Sequence, residues 1–173
     1  MFDTGVAIGG IDPTFDYIVS LLAPKAISYT ASDYADFAEM KSDFEATGRI
    51  KINVNHSDKT IFGSPVTNWQ FRAWHDACHI LANADFTFEG EKRAAALQAS
   101  QVLALDGPSL YDKTRWIALI VAEVIGQGEF FIQHNDFPAD QRAFVVGYLV
   151  ENYPELLALP EFAPNLANLV VRY

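Results

Sequence analysis

Trp116-Ile-Ala-Leu-Ile-Val-Ala-Glu123-Val-Ile-Gly-Gln127-Gly-Glu-Phe-Phe-Ile-Gln-His134 is the stretch whose reading decides the fold. Between Ile117 and Ile125 it is apolar nearly all round, which predicts a helix at the centre of a core. Working outward, the helix opens at about Ser109 or Tyr111, after the strong stop Asp106-Gly-Pro108, and runs to Asn135. Glu123 and Gln127 interrupt the apolar surface and demand partners, because an unpaired buried polar group costs several kcal/mol. At about 100° per residue, Glu123, Gln127 and His134 fall within about 40° of one another, on a stripe with Trp116, Leu119 and Phe130. Gly126 and Gly128 flank Gln127, where each costs about 1 kcal/mol relative to Ala. Close packing of another backbone, or of a ligand, against the helix would account for tolerating them.

A second segment supplies the matching chemistry: Trp69-Gln-Phe-Arg72-Ala-Trp-His75-Asp76-Ala-Cys78-His79. On a helix, His75 and His79 are one turn apart and leave from the same face. Imidazoles and carboxylates on facing helices are the donor set of a zinc, manganese or iron site. His75, His79, Glu123 and His134 are therefore the candidate ligands of a divalent transition metal. Asp76 or Glu91 is the candidate general base, and Arg72 and Gln127 are placed to face a substrate. The alternative reading is a buried hydrogen-bond network in which Glu123 pairs with Arg72 or a histidine. Glu91 also suits the first turn of its helix, where the dipole favours a carboxylate.

The flanking chain reads as further helices. Thr14 to Leu22 forms one, stopped by Pro24, and Ser32 looks like the N-cap of another carrying Tyr34, Phe37, Met40 and Phe44, closed by Gly48. Ile50-Lys-Ile-Asn-Val-Asn alternates and suits a short strand or an extended loop. Helices are expected from about Trp69 to Asn83, from about Phe88 to Leu105, and from Pro138 through Leu149. The start through Pro13 is irregular, and the tail from Tyr153 to Tyr173, with Pro154, Pro160 and Pro164, reads as a strap. The expectation is an all-α, single-domain helical bundle with a long central helix.

Bulk properties set the outer limits. A chain of 173 residues, half of them hydrophobic, suits one domain with a packed core. The net charge of −10 repels phosphate backbones, which argues against bulk nucleic-acid binding. A small phosphorylated molecule held through a metal remains compatible, because the ion supplies the missing positive charge. No basic n-region precedes an apolar segment at the N-terminus, and no uninterrupted apolar run approaches the roughly 18 residues of a membrane span. The lone Cys78 makes no internal disulfide and reads as a buried thiol, which suits a reducing interior.

Ser57-Asp-Lys-Thr-Ile-Phe-Gly-Ser64, Asn68 through His79, Phe86 to Glu91, Ala122-Glu-Val-Ile-Gly-Gln127 and Phe137 to Phe144 resemble a family of tailed-bacteriophage and prophage proteins to which no activity is attached. That resemblance implies a bacterial host's cytoplasm or a phage particle as the setting. The Trp-His-Asp-x-x-His block is its most distinctive part. A weaker similarity links His56, His75, Asp76 and either Asp106 or Asp112 to the ligand order of HD-domain metal-dependent phosphohydrolases. That similarity implies a phosphate ester or nucleotide as substrate. Three functions are therefore expected in competition: a metal-dependent phosphohydrolase, a non-haem iron protein, and a non-catalytic phage or host-interaction module.

Overall fold

The structure, a computed structural model, describes residues 10–157. It is mainly helical: α1 (Pro13–Leu22), α2 (Phe37–Thr47), α3 (Pro65–Ala82), α4 (Phe88–Leu103), α5 (Leu110–Val121), α6 (Gln127–His134), α7 (Gln141–Asn152) and α8 (Pro154–Leu157). Two short strands, β1 (Ile27–Thr30) and β2 (Ile50–Asn53), pair in parallel with Ile27 opposite Ile50. That sheet corrects the purely α expectation. The partner strand for Ile50–Asn53 lies upstream, and α2 is the crossover that a parallel pair requires.

Local chemistry explains most boundaries. The Asp12 side chain accepts from the Thr14 and Phe15 amides, Ser64 from Thr67, Thr87 from Gly90 and Ser109 from Asp112. Each thereby satisfies an amide that the helix start leaves without an internal partner. Ser64 and Pro65 start α3 four residues before Trp69. Asp36, not Ser32, caps α2, and Asp140 caps α7, so Pro138 stays in the preceding turn. Gly48 ends α2 at φ 66°, while Asn83 and Asn135 end α3 and α6 at φ 45° and 53°. These left-handed stops suit glycine and asparagine. The one-turn α8 opens the stretch expected to be irregular. Residues 158–173 of that strap, and residues 1–9 of the N-terminal arm, lie outside the described residues.

α3 is covered on two sides. Ile50 and Ile52 of the sheet bury against Ala73, with Trp69, Ala77 and Ile80 alongside. The main core gathers Phe71, Trp74 and Cys78 of α3 with Phe15, Ile18 and Val19 of α1, Ala94, Ala95 and Val102 of α4, and Trp116, Leu119 and Ile120 of α5. A buried ion pair joins the start of α1 to α5: Arg115 Nε donates to Asp12 Oδ2 at 2.7 Å, and its guanidinium also reaches Thr14. Pairing is what makes burial of both charges tolerable.

The long central helix is present, with one interruption. Residues Ala122–Gly126 form a π-turn between α5 and α6. The 25-residue rod Leu110–His134 is long and apolar enough to cross a membrane by length and composition. Here its middle packs against α4 and α7, burying Ala118, Leu119, Ile120 and Ala122. The two glycines next to Gln127 have their explanation in aromatic neighbours. A Cβ at Gly126 would meet the Tyr148 ring at 2.8 Å, and one at Gly128 would meet Phe88 at 3.2 Å.

Candidate metal centre

His75 and His79 leave α3 on the face that packs against α4. α4 answers with Glu91 in its first turn and Gln98 two turns further on. Glu91 arrives there through a tight entry: Asp85 accepts from Thr87, Thr87 caps the helix, and Gly90 lies so close to Asp85 that a Cβ would fall 1.8 Å from the Asp85 carbonyl oxygen. Only glycine permits that approach.

Three donor atoms converge. His75 Nε2 lies 2.9 Å from Glu91 Oε2 and 2.9 Å from His79 Nε2, and His79 Nε2 lies 3.4 Å from Glu91 Oε2. Among the described residues, these three side chains form the group of histidine, cysteine and acidic residues whose ligand atoms gather within 4.8 Å. Three cis ligands bound at about 2.1 Å sit about 3.0 Å apart on an octahedral face and about 3.4 Å apart on a tetrahedral one. The observed edges span that range.

The outer hydrogen bonds aim both rings. His79 Nδ1 lies 3.0 Å from the Ala84 carbonyl oxygen, and His75 Nδ1 lies 3.0 Å from Gln98 Oε1. A carbonyl oxygen only accepts, so each Nδ1 carries a proton, and a ring that is neutral in that tautomer presents its Nε2 lone pair inward. With both rings neutral, two lone pairs and a carboxylate oxygen would face one another and repel. A proton on His75 Nε2, which lies 2.9 Å from both Glu91 Oε2 and His79 Nε2, relieves that repulsion, and a cation among the three atoms would do the same while engaging all three donors.

The titrations follow the same logic. Burial works against the His75 imidazolium, yet the hydrogen bond and charge of Glu91, with Asp76 adding its charge, hold its pKa above the usual value. Burial raises Glu91 as well, but hydrogen bonds and charge from His75 and His79 outweigh it and bring the carboxyl down to about 2. Asp76 is raised, chiefly by burial, against the lowering charges of His75, His79 and Arg72.

The site opens into a cleft of about 980 Å³ that His75, Glu91, Arg72, Glu123 and Gln127 all line. Glu123 belongs to the π-turn and is half-buried as a whole, but its Oε1 is fully buried with no hydrogen-bond partner among the described residues. Gln127 Nε2 donates to Oε2 at 2.7 Å. Burial pushes the Glu123 carboxyl up to about 8, against the lowering effect of that hydrogen bond. π-Turns recur at functional sites, and this one carries the acidic residue of the rod.

The predicted site residues therefore separate. His75, His79 and Glu91 come together, with Glu91 Oε2 in contact with both imidazoles. Glu123 shares the cleft but is not among the three converging donors. His134 does not join: it is exposed at the end of α6, its ring 4.1 Å from that of Phe130. The π-turn inserts about one residue, which rotates everything downstream by about 100° and takes His134 off the Glu123 stripe. Arg72 donates to the Asn53 carbonyl at 2.6 Å and pairs loosely with Asp33, while keeping a place on the cleft wall. Asp76 opens into an adjoining cleft of about 250 Å³ with Tyr34 and Lys51. His56 is exposed, Asp106 is exposed, and Asp112 is engaged by Ser109 and Arg115.

No protein-family model, curated protein or solved structure matches this chain.

Proposed function

We propose that the protein is a metal-dependent hydrolase of phosphate esters or nucleotides, with His75, His79 and Glu91 holding one divalent transition metal, zinc, manganese or iron. The observation that carries the reading is the convergence of two imidazole Nε2 atoms and a carboxylate oxygen, with each ring held by its Nδ1. A cation in that position supplies Lewis acidity and lowers the pKa of water toward about 7.

The protein's own residues would do the rest. Glu123, protonated at pH 7, would give its proton to the leaving oxygen as water adds to phosphorus and the ester P–O bond breaks; the proton that water loses would pass to solvent, from which Glu123 regains its own. Gln127 would orient that carboxyl, and Arg72 would hold a non-reacting phosphate oxygen. Asp76 lies on the side of His75 that faces the smaller cleft, where its charge bears on the ring rather than on the substrate. The phosphate class rests on the His75-Asp76 pair and on the phage resemblance, which also motivates nucleotides as the first substrates to try.

The ligand set favours one second reading. Two histidines and one carboxylate on a single face, with the remaining positions toward a cleft, are also the donor set of non-haem iron oxygenases. Bound iron with an optical band that responds to oxygen would select that reading; a colourless zinc or manganese protein that releases phosphate would select the first.

The test is elemental analysis of protein purified without added metal, followed by reconstitution. About one equivalent of metal is expected in the wild type, and a loss of roughly tenfold or more in affinity for His75→Ala, His79→Ala and Glu91→Ala. His134→Ala should bind as the wild type does. A wild type that takes up no zinc, manganese or iron, and whose melting temperature ignores all three, overturns the proposal.

A further inference from the structure

The cleft above the three donors has a second character that the metal chemistry does not use. Phe131 and Ile132 of α6 and Phe137 of the following turn line it, and they are 40, 61 and 55% exposed. Phe86 and Phe88 line it from the start of α4. Exposed large apolar residues elsewhere, such as Tyr17, Leu81, Leu103 and Val150, are scattered over separate elements. Scattered apolar residues are ordinary on a protein surface, whereas several around one mouth mark a binding surface.

The aromatic wall is ordered. The Phe131 and Phe137 rings lie 4.9 Å apart at 35°, and Phe88 seats against Gly128, where a Cβ would come within 3.2 Å of the ring. Phe86 packs edge-on against His79 at 5.3 Å, so the apolar lining reaches the candidate metal centre itself. Arg72, and a cation held by the three donors, would attract an anion, while Asp33, Asp58 and Asp136 elsewhere on the wall repel an extended one. The cleft volume suits one small organic molecule.

We infer that this cleft takes an organic ligand with a compact anionic head and an aromatic or flat apolar body, the body lying on Phe131 and Phe137 and the head reaching the His75–His79–Glu91 centre. The inference rests on the proposed metal site and narrows its substrate class. An aromatic phosphate ester, or a nucleotide presenting its base to the aromatic wall and one phosphate to the metal, fits; inorganic or aliphatic phosphates use only half of the surface.

The experiment is calorimetric titration of cobalt(II)-loaded protein with phenylphosphonate and with methylphosphonate, with metal content measured on the same samples. The two ligands share a head and differ in the body alone. Burying one face of a phenyl ring corresponds to roughly 30-fold in affinity, the expected preference for phenylphosphonate. In Phe131→Ala/Phe137→Ala, two exposed positions that leave the core intact, the preference should fall to about threefold or less while methylphosphonate binding is unchanged. Equal affinities in the wild type, a preference that survives the double substitution, or no binding of either ligand to fully loaded protein would each overturn the inference and leave the metal reading standing. Protein that loads no cobalt overturns the metal reading, and the inference falls with it.

Discussion

Glu123→Gln should stabilise this protein at neutral pH and considerably less at pH 5. The carboxyl is raised from 4.5 to about 8 in the fold, with burial as the cause. Folded protein therefore holds the proton over a range in which the unfolded chain releases it. For an acid raised in this way, stability is fully present below the unfolded value and is lost as pH climbs through the folded one. From those two values, about 1 kcal/mol is already lost at pH 5 and about 4 kcal/mol at pH 7.5. The difference of about 3 kcal/mol is best discounted to about 2, since the half-buried side chain keeps some contact with the cleft. Glutamine has the same shape, still accepts from Gln127, and carries no charge to desolvate.

At 2–4 °C per kcal/mol for a chain of this size, the gap in melting temperature between variant and wild type should widen by about 4–8 °C from pH 5 to pH 7.5. Thermal melts of both proteins with a chelator present measure it, and every other titrating group cancels in the comparison. A gap that changes by less than about 2 °C would show that Glu123 ionises freely, and the acid role given to it fails with that result.

Two more outcomes are expected. Metal affinity should rise steeply with pH across the range in which His75 gives up its proton, above the ordinary histidine value of 6.5, because the cation competes with that proton for the same lone pair; a flat profile between pH 6 and 8 in metal-buffered titrations would contradict the shared-proton geometry. Gly90→Ala, by forcing a Cβ into the Asp85 carbonyl, should cost about 2 kcal/mol or more and weaken metal binding, whereas Ala at exposed Glu89 should do neither, as denaturant melts and metal titration would show.

Half of the site was legible in one dimension. His75 and His79 stand one turn apart on a helix whose position the apolar pattern marks, and the spacing alone aims them together. The acidic partner was harder. Glu123 stood out because a charge on an apolar rod is conspicuous, while Glu91 looked like an ordinary first-turn carboxylate. A sharper signal was present in α4: Glu91 and Gln98 are seven residues apart, nearly eclipsed on the helix, on the same face as buried Ala94, Ala95 and Val102. A polar pair on a small-residue stripe is where a neighbouring helix brings its own polar groups. His134 failed for a local reason, since a π-turn is invisible to a count that assumes 3.6 residues per turn.

Periodicity, caps and stop signals are properties of neighbouring residues, so the amino-acid order by itself determined the long rod, the α3 and α4 helices, the first ending at Asn83 and the second within two residues of the expected Leu105, and the shared face of the two imidazoles. Which carboxylate meets those imidazoles, how Ala84 and Gln98 turn them, and that Ile27 finds Ile50 were decided only when the elements packed. Those contacts depend on crossing angles and on an extra residue in one turn. Both come from how side chains of distant segments fill a common interior, and no local pattern encodes that.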